Sequence, residues 1–318
     1  MMASASGPVV PTARPKADRP SAAARVLAVI GRMFPFLSGR GFLATSRFYT
    51  RLVPREPRVV WATISGSRCL VPLDDLVGRS AFLFSDLDAK VTWALGRVLR
   101  PGDVAVDVGA NLGVVSLHMA RLVGHGGKVV SFEPSPKVLP FLRATLSENP
   151  HLPITLVEVA CGAQDGEVSL QVPAGNAGAA SVLAGRGGGV RCETHRVSVR
   201  RLDDCLAATG LEGVRLMKLD VEGFEEQVLR GLFDRGLGLR PDVILLDEGA
   251  PASSAAFDVL RENGYALFGI PFRVLRIDRL PADGTAGFVR CHDFVAINRE
   301  ADEDLHLRLR CSDQQHTG

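Results

Sequence analysis

The stretch DVAVDVGANLGVVSLHMARLV, residues 103–123, begins with the chemistry of a strand and ends with that of a helix, and the change is made inside Gly-Ala-Asn-Leu-Gly. The run VAVDV is almost continuously apolar, as suits a parallel strand covered on both faces. From Val114 to Val123 the spacing is helical, and the glycines between supply backbone freedom for a sharp corner. Such a corner at a strand's carboxyl end is where an open α/β sheet binds ligands, because the backbone can approach closely and the next helix presents free N–H groups.

Outward from this corner the alternation continues. Strands are expected over 104–108, 128–132, 154–159, 215–219 and 243–246, with helices over 114–123 and about 135–146. The repeated β-α order implies a Rossmann-like, doubly wound, mostly parallel α/β sheet. Before it, RVVWATISGSRCLVPL reads as a small β element turned at Ser65-Gly66-Ser67, and DLDAKVTWALGRVLRPG as a helix whose stripe is Val91, Ala94, Leu95 and Val98. After it, YALFGIP, FRVLRI and CHDFVAI suit strands of an antiparallel edge. The Gly/Ala-rich residues 174–190 read as a loop, either an inert insertion or a substrate-facing lid.

The expected organisation is a structureless tail over 1–24, a helical and β extension over 25–100, the α/β domain over 101–299 and a charged tail over 300–318. Residues 21–52 are interrupted by Arg25, Arg32 and Arg40 and are too broken to span a membrane. They read first as packing helices, with peripheral membrane contact or a cleaved targeting segment as the alternatives. At 46% hydrophobic content the chain can build a large core, and 37 basic against 35 acidic residues announce neither a nucleic-acid nor an anionic-membrane partner. Six scattered cysteines without zinc-like spacing suggest neither disulfide framework nor structural metal, which points to the reducing cytoplasm.

Asp107, Gly109, Asn111 and Gly113 form the corner itself. The spacing is not the G-x-G-x-x-G of a dinucleotide site, and an acid leading it would repel a pyrophosphate while suiting a cationic amine. Glu133 ends the next strand in VVSFEPS, placed to accept hydrogen bonds from two ribose hydroxyls. An amine plus a ribose points to S-adenosylmethionine. The plain alternative for both acids is capping or surface display.

The succession PGDVAVDVGANLGVVSLHMA, GKVVSFEPSP, VEVACGAQDGEVSL, VRLMKLDVEGFEEQVLRGL and RPDVILLDE resembles the FkbM-type methyltransferases, in that family's order and over about half the chain, residues 91–248. The resemblance implies a class I methyltransferase fold, S-adenosylmethionine as methyl donor and an oxygen acceptor on a natural product, sugar or glycolipid. It assigns Asp107, Gly109, Asn111 and Gly113 to the methionine end, Glu133 to the ribose and Ala160 to a backbone contact near the adenine.

In MKLDVEGFEEQVLRG, Lys218 and Asp220 lie on one side of a strand. Lys218 is expected to pair with a carboxylate beside the crevice or to snorkel from the sheet end. Asp220 and Glu222 are expected to border the methyl group and acceptor, with N-capping as their alternative role. Glu225 and Glu226 should lie along the helix, one of them facing Lys218. An alcohol acceptor needs a base, for which Asp220, Glu222 and His292 are candidates. A metal-assisted route through Asp220 and Asp247 lacks a compact ligand cluster. A nicotinamide-dependent oxidoreductase would need the missing glycine triplet, and a non-catalytic scaffold would not need KLDVEGFE. The expected partner is a small hydroxyl-bearing molecule.

Overall fold

The computed structural model describes residues 15–33, 46, 51, 59–175, 180, 182, 192–236, 239–247, 254–271, 277 and 279–311. Its first helix, α1 (Ala22–Arg32), starts inside the tail expected to lack structure. The Ser21 side chain accepts from the Ala24 N–H at 3.1 Å and supplies the cap that a composition argument overlooks. β1 (Val59–Ile64) and β2 (Ser67–Pro72) form the expected hairpin, turned through Ser65 and Gly66 at φ 48° and 84°. Asp75 caps α2 (Leu76–Phe84) and Asp88 caps α3 (Ala89–Val98), whose buried stripe includes Ala94, Leu95 and Val98.

The main sheet then begins with β3 (Val104–Val108), α4 (Val114–Val123) and β4 (Lys128–Phe132), as expected. The following helix, α5 (Leu139–Glu148), starts later than its periodicity suggests. Pro136 disfavours helical backbone at the residue before it, and Pro140 sits in the first turn, where its missing N–H is no loss. β5 (Ile154–Val157) stops early because the chain leaves for a second sheet. There β6 (Ala160–Gly162), β7 (Gly166–Pro173) and β8 (Cys192–Arg201) pair in the order β6-β8-β7. After α6 (Leu202–Ala208) the chain returns through β9 (Leu216–Leu219), α7 (Glu225–Phe233), β10 (Val243–Asp247) and α8 (Ala255–Glu262). β11 (Tyr265–Ile270), β12 (Asp293–Asn298) and α9 (Asp304–Leu309) complete the described elements.

The seven strands run β11-β12-β10-β9-β3-β4-β5, parallel from β10 to β5, with β12 antiparallel between β10 and β11. This is the expected Rossmann-like, doubly wound and mostly parallel sheet. The antiparallel edge was expected. Of its three candidate strands, FRVLRI lies almost wholly outside the described residues, as does most of 174–190. The order reverses between β3 and β9, so the crevice outside their carboxyl ends is the switch point of the sheet.

Alternation along each strand fills both faces. Val106, Val108, Met217 and Leu219 face α6, α7 and α8, while Ala105 and Leu216 face α3, α4 and α9. A third cluster joins α1, the β1–β2 hairpin and α2 to Leu112, Val114 and Leu117 of the opening motif and its helix. The amino-terminal extension is thereby packed against the element that follows the corner.

One buried ion pair ties that extension to β12, one strand in from the sheet's edge. Lys90 of α3 bonds Asp293 of β12, and its amine also lies 3.5 Å from Asp88. Burial would lower the Lys90 pKa, but Asp88 and Asp293 outweigh it and hold it above the usual lysine value. Replacing Lys90 with Met should cost about 3 kcal/mol, because it strands a buried carboxylate. Adding Asp293→Leu should recover most of the loss. Urea unfolding of the single and double variants checks this, and an unchanged midpoint for Lys90→Met would show that Asp293 is well solvated.

Candidate active site

The corner after β3 is left-handed at three alternate positions, Gly109, Asn111 and Gly113, at φ 85°, 50° and 86°. Gly109 is required twice over. Besides its φ, a Cβ there would lie 1.9 Å from the carbonyl oxygen of Asp220, where β9 ends. The N–H groups of Gly109 and Ala110 both donate to the Phe132 carbonyl, tying the corner to the end of β4.

Glu133 follows directly. Its two carboxylate oxygens accept from the backbone N–H of Asn111 at 2.8 Å and of Ser135 at 2.7 Å. The side chain is buried, and burial pushes its pKa up to about 7 against the pull of those two donors. A carboxylate held by backbone on both oxygens has a fixed direction and retains lone pairs for a ligand.

Asp107 is placed differently from the expectation. One residue of strand follows it, so its side chain lies within the sheet, beside Ser131 of β4 and Lys218 of β9 in register. It is fully buried, and Ser116 of α4 donates to its Oδ2 at 2.6 Å while bonding Ser131 at 2.8 Å. Burial raises its pKa, and Lys218 and Ser116 pull it back. Its Oδ1 is buried without a hydrogen-bond partner among the described residues.

Lys218 makes the expected pair. Its amine donates to Asp220 at 2.8 Å. Burial alone would lower its pKa, but Asp220 and then Asp107 hold it above the usual value, so it stays charged. The loop from Asp220 to Phe224 carries Glu222 at φ 50° and Gly223 at φ 95°. A left-handed glutamate is strained unless its surroundings hold it there. Here Glu225 accepts from the N–H groups of Val221 and Gly223, so neither Asp220 nor Glu222 is the cap. The expectation that Glu225 or Glu226 faces Lys218 is corrected: Glu225 holds the loop, and Glu226 pairs with Arg230 along the helix.

These elements enclose a cavity of about 350 Å³, walled by Gly109, Asn111, Glu133, Ala160, Lys218, Asp220 and Glu222. Seven of the nine residues singled out from sequence thus meet in one place. Asp107 and Gly113 do not line it. Gly113 is the N-cap of α4, where a Cβ would meet the Leu142 side chain at 2.7 Å. His292 is exposed and lines neither this cavity nor the next. Sequence reasoning missed the opposite wall, Leu76, Val77 and Ser80 of α2 and Phe224, because tertiary packing alone brings α2 there.

A second cavity of about 110 Å³ shares Lys218 and Asp220 as a common wall and adds Asp88, Asp247 and Asp293. Asp247 remains open to solvent. Even so, the protein around it, and then the charges of Asp293, Asp220 and Glu222, hold its pKa up to about 7. Its place at a strand tip in the parallel sheet was a readable signal, taken from sequence only as a candidate metal ligand. Among the described residues no group of three or more His, Cys, Asp or Glu is disposed to hold a metal ion.

The profile of the methyltransferase FkbM domain matches residues 107–267, half of the chain. The chain belongs to the FkbM methyltransferase family. It is 30% identical over 185 residues to 31-O-demethyl-FK506 methyltransferase FkbM of Streptomyces tacrolimicus, covering 49% of this chain and 70% of that protein. It is also 30% identical over 209 residues to the AMB antimetabolite synthetase AmbE of Pseudomonas aeruginosa, covering 54% of this chain but spanning only 10% of that protein's length. Among solved structures, a precorrin-6y C5,15-methyltransferase from Geobacter metallireducens aligns with a TM-score of 0.36 at 18% identity, covering 65% of this chain and 88% of that one.

Membership makes this a methyltransferase with S-adenosylmethionine as its donor. The residues present fit that donor: a fixed carboxylate at Glu133 for a diol, a glycine at the closest backbone approach, and an unpartnered oxygen of Asp107 beneath the corner. If Glu133 accepts from two ribose hydroxyls, ligand binding favours its ionised form. With an empty-site pKa of about 7, affinity for S-adenosylhomocysteine should rise with pH and level off above that value. Below it, affinity should fall by up to about tenfold per pH unit. Glu133→Gln should bind at least ~10-fold more weakly and lose the pH dependence. Calorimetric titration across this range checks both, and an identical profile in the variant would remove Glu133 from the ribose.

Proposed function

We propose that this FkbM-family chain methylates a hydroxyl oxygen on a small molecule, with the donor in the larger cavity and the acceptor in the smaller one. The observation that carries this reading is the common wall: Lys218 and Asp220 face both spaces, so a donor and an acceptor placed there would meet across them. The donor brings a methyl group already activated on a sulfonium. The protein's own work is therefore alignment and removal of the acceptor's proton.

Each residue has a task within that reading. Glu133 holds the ribose, the Gly109–Asn111 backbone lies along the methionine end, and Ala160 at the start of β6 lies against the base. Asp107 acts from beneath, through Ser116 and Lys218, which makes it a positioning residue. Asp220, fixed by Lys218, takes the hydrogen bond of the incoming hydroxyl, with Glu222 beside it. Asp247, with a pKa of about 7, is suited to receive the proton at neutral pH. The carboxylates of the smaller cavity also suit a polyhydroxylated acceptor, such as a sugar, whose hydroxyls donate to them.

Transfer of labelled methyl from S-adenosylmethionine to a panel of polyols, glycosides and hydroxylated macrocycles tests the activity, and label on nitrogen alone would overturn O-methylation. Asp220→Ala should bind S-adenosylhomocysteine within about threefold of wild type while kcat falls by about 10² or more. Asp247→Asn should flatten the rise of kcat that the wild type shows as pH climbs through about 7. A full pH rise in that variant would return the proton to another group.

A further inference from the structure

Helix α1 buries the wrong residues for a helix that merely packs. Its inner face is Ala24, Leu27, Ala28 and Gly31, set against α2 so closely that a Cβ on Gly31 would lie 2.4 Å from the Leu83 carbonyl oxygen. Apart from Leu27, its large apolar side chains point the other way. Val26, Val29, Ile30 and Met33 are 58%, 56%, 53% and 77% exposed, at the i, i+3, i+4, i+7 spacing of one helical stripe. Six large apolar side chains are exposed among the described residues, and four of them are these. Scattered singly they would need no explanation; gathered on one stripe they mark a contact surface.

The charge around the stripe says what it contacts. Up to Arg58 the sequence holds ten basic residues against two acidic ones, Asp18 and Glu56. The rest of the chain holds the other 27 basic residues against 33 acidic ones. The near-neutral total therefore conceals a basic segment joined to an acidic body. Arg25 and Arg32 are exposed on α1 itself. A basic helix with an unpartnered aliphatic face has the composition of an element that lies in the plane of a membrane surface. Four side chains fall well short of the ~800 Å² per partner that a stable protein interface uses, whereas a lipid surface also engages Arg25 and Arg32. Among the described residues no helix is long and apolar enough to cross a membrane.

We infer that α1 docks the protein on an anionic phospholipid bilayer, with Val26, Val29, Ile30 and Met33 among the acyl chains and Arg25 and Arg32 at the headgroups. α1 rests on α2, the helix whose Leu76, Val77 and Ser80 wall the larger cavity. Docking therefore holds the active site two helix diameters, about 20 Å, from the acyl chains.

The test is co-sedimentation of the full chain with phosphatidylcholine vesicles, pure or containing about 30% phosphatidylglycerol. The wild type should pellet with the anionic vesicles at least tenfold more than with neutral ones, and lose that binding in high salt. Val29→Asp/Ile30→Asp, both on the exposed stripe, should lose vesicle binding tenfold while titrating S-adenosylhomocysteine as wild type does. Arg25→Glu/Arg32→Glu should do the same without touching the apolar face. No recovery of the wild type on anionic vesicles, or equal recovery of the variants, overturns the inference. Concentration-dependent dimerisation without lipid that Val29→Asp/Ile30→Asp abolishes also overturns it, and assigns the stripe to a second copy.

Discussion

The close approach of two strand ends governs this structure. Gly109 leaves β3 where the Asp220 carbonyl leaves β9, and the space between them cannot hold a methyl group. Because β3 and β9 are adjacent in register, Asp107 and Lys218 stand side by side beneath that contact. The sheet's reversal of order, the corner that opens α4 and the loop that opens α7 all converge there. A side chain at residue 109 would force the β9 loop away, and Lys218, Asp220 and Glu222 would move with it. Backbone geometry at one glycine thus positions the carboxylates of a different segment more than a hundred residues later in the chain.

The parallel core was legible because strands buried on both faces leave an unbroken apolar run, and VAVDV, KVVSF and DVILL are such runs. The β6-β8-β7 sheet was not. Half of β8 faces solvent, its partner β7 lies across the Gly/Ala-rich residues 174–190, and nothing in either sequence names the other. The site divided along the same line. Residues placed by their own strand end, such as Glu133 and Asp220, were found from sequence, whereas the wall that α2 brings across the cavity was not. Asp107 shows the resolution of such reading: with one further strand residue, Val108, after it, the side chain lies buried within the sheet, held by Ser116, instead of lining the cavity.

The helical extension illustrates how a total can hide its parts. A formal charge of +2 reads as neutral, and broken hydrophobicity before residue 53 reads as packing. The structure separates the two faces of α1, and only then does the outward position of its larger apolar side chains become visible. Two apolar stripes are present, an inner one of mostly small residues around Leu27 and an outer one of Val26, Val29, Ile30 and Met33. Which of them is buried is decided by how closely α2 approaches, through Gly31.

Charge around the switch point follows the same logic of placement. Lys218 is the cation set among Asp107, Asp220 and Asp247, and Glu133 and Glu222 add further carboxyls to the larger cavity's surroundings. A pocket of that character holds a sulfonium more strongly than the neutral thioether that remains after methyl transfer, since the difference is one full positive charge in a partly desolvated space. Burial keeps part of that negative charge in check, because Glu133 and Asp247 have pKa values of about 7 and are only partly ionised at neutrality. A ligand that offers hydroxyl donors or positive charge draws them to the ionised form, so the site assumes its full charge in step with being filled.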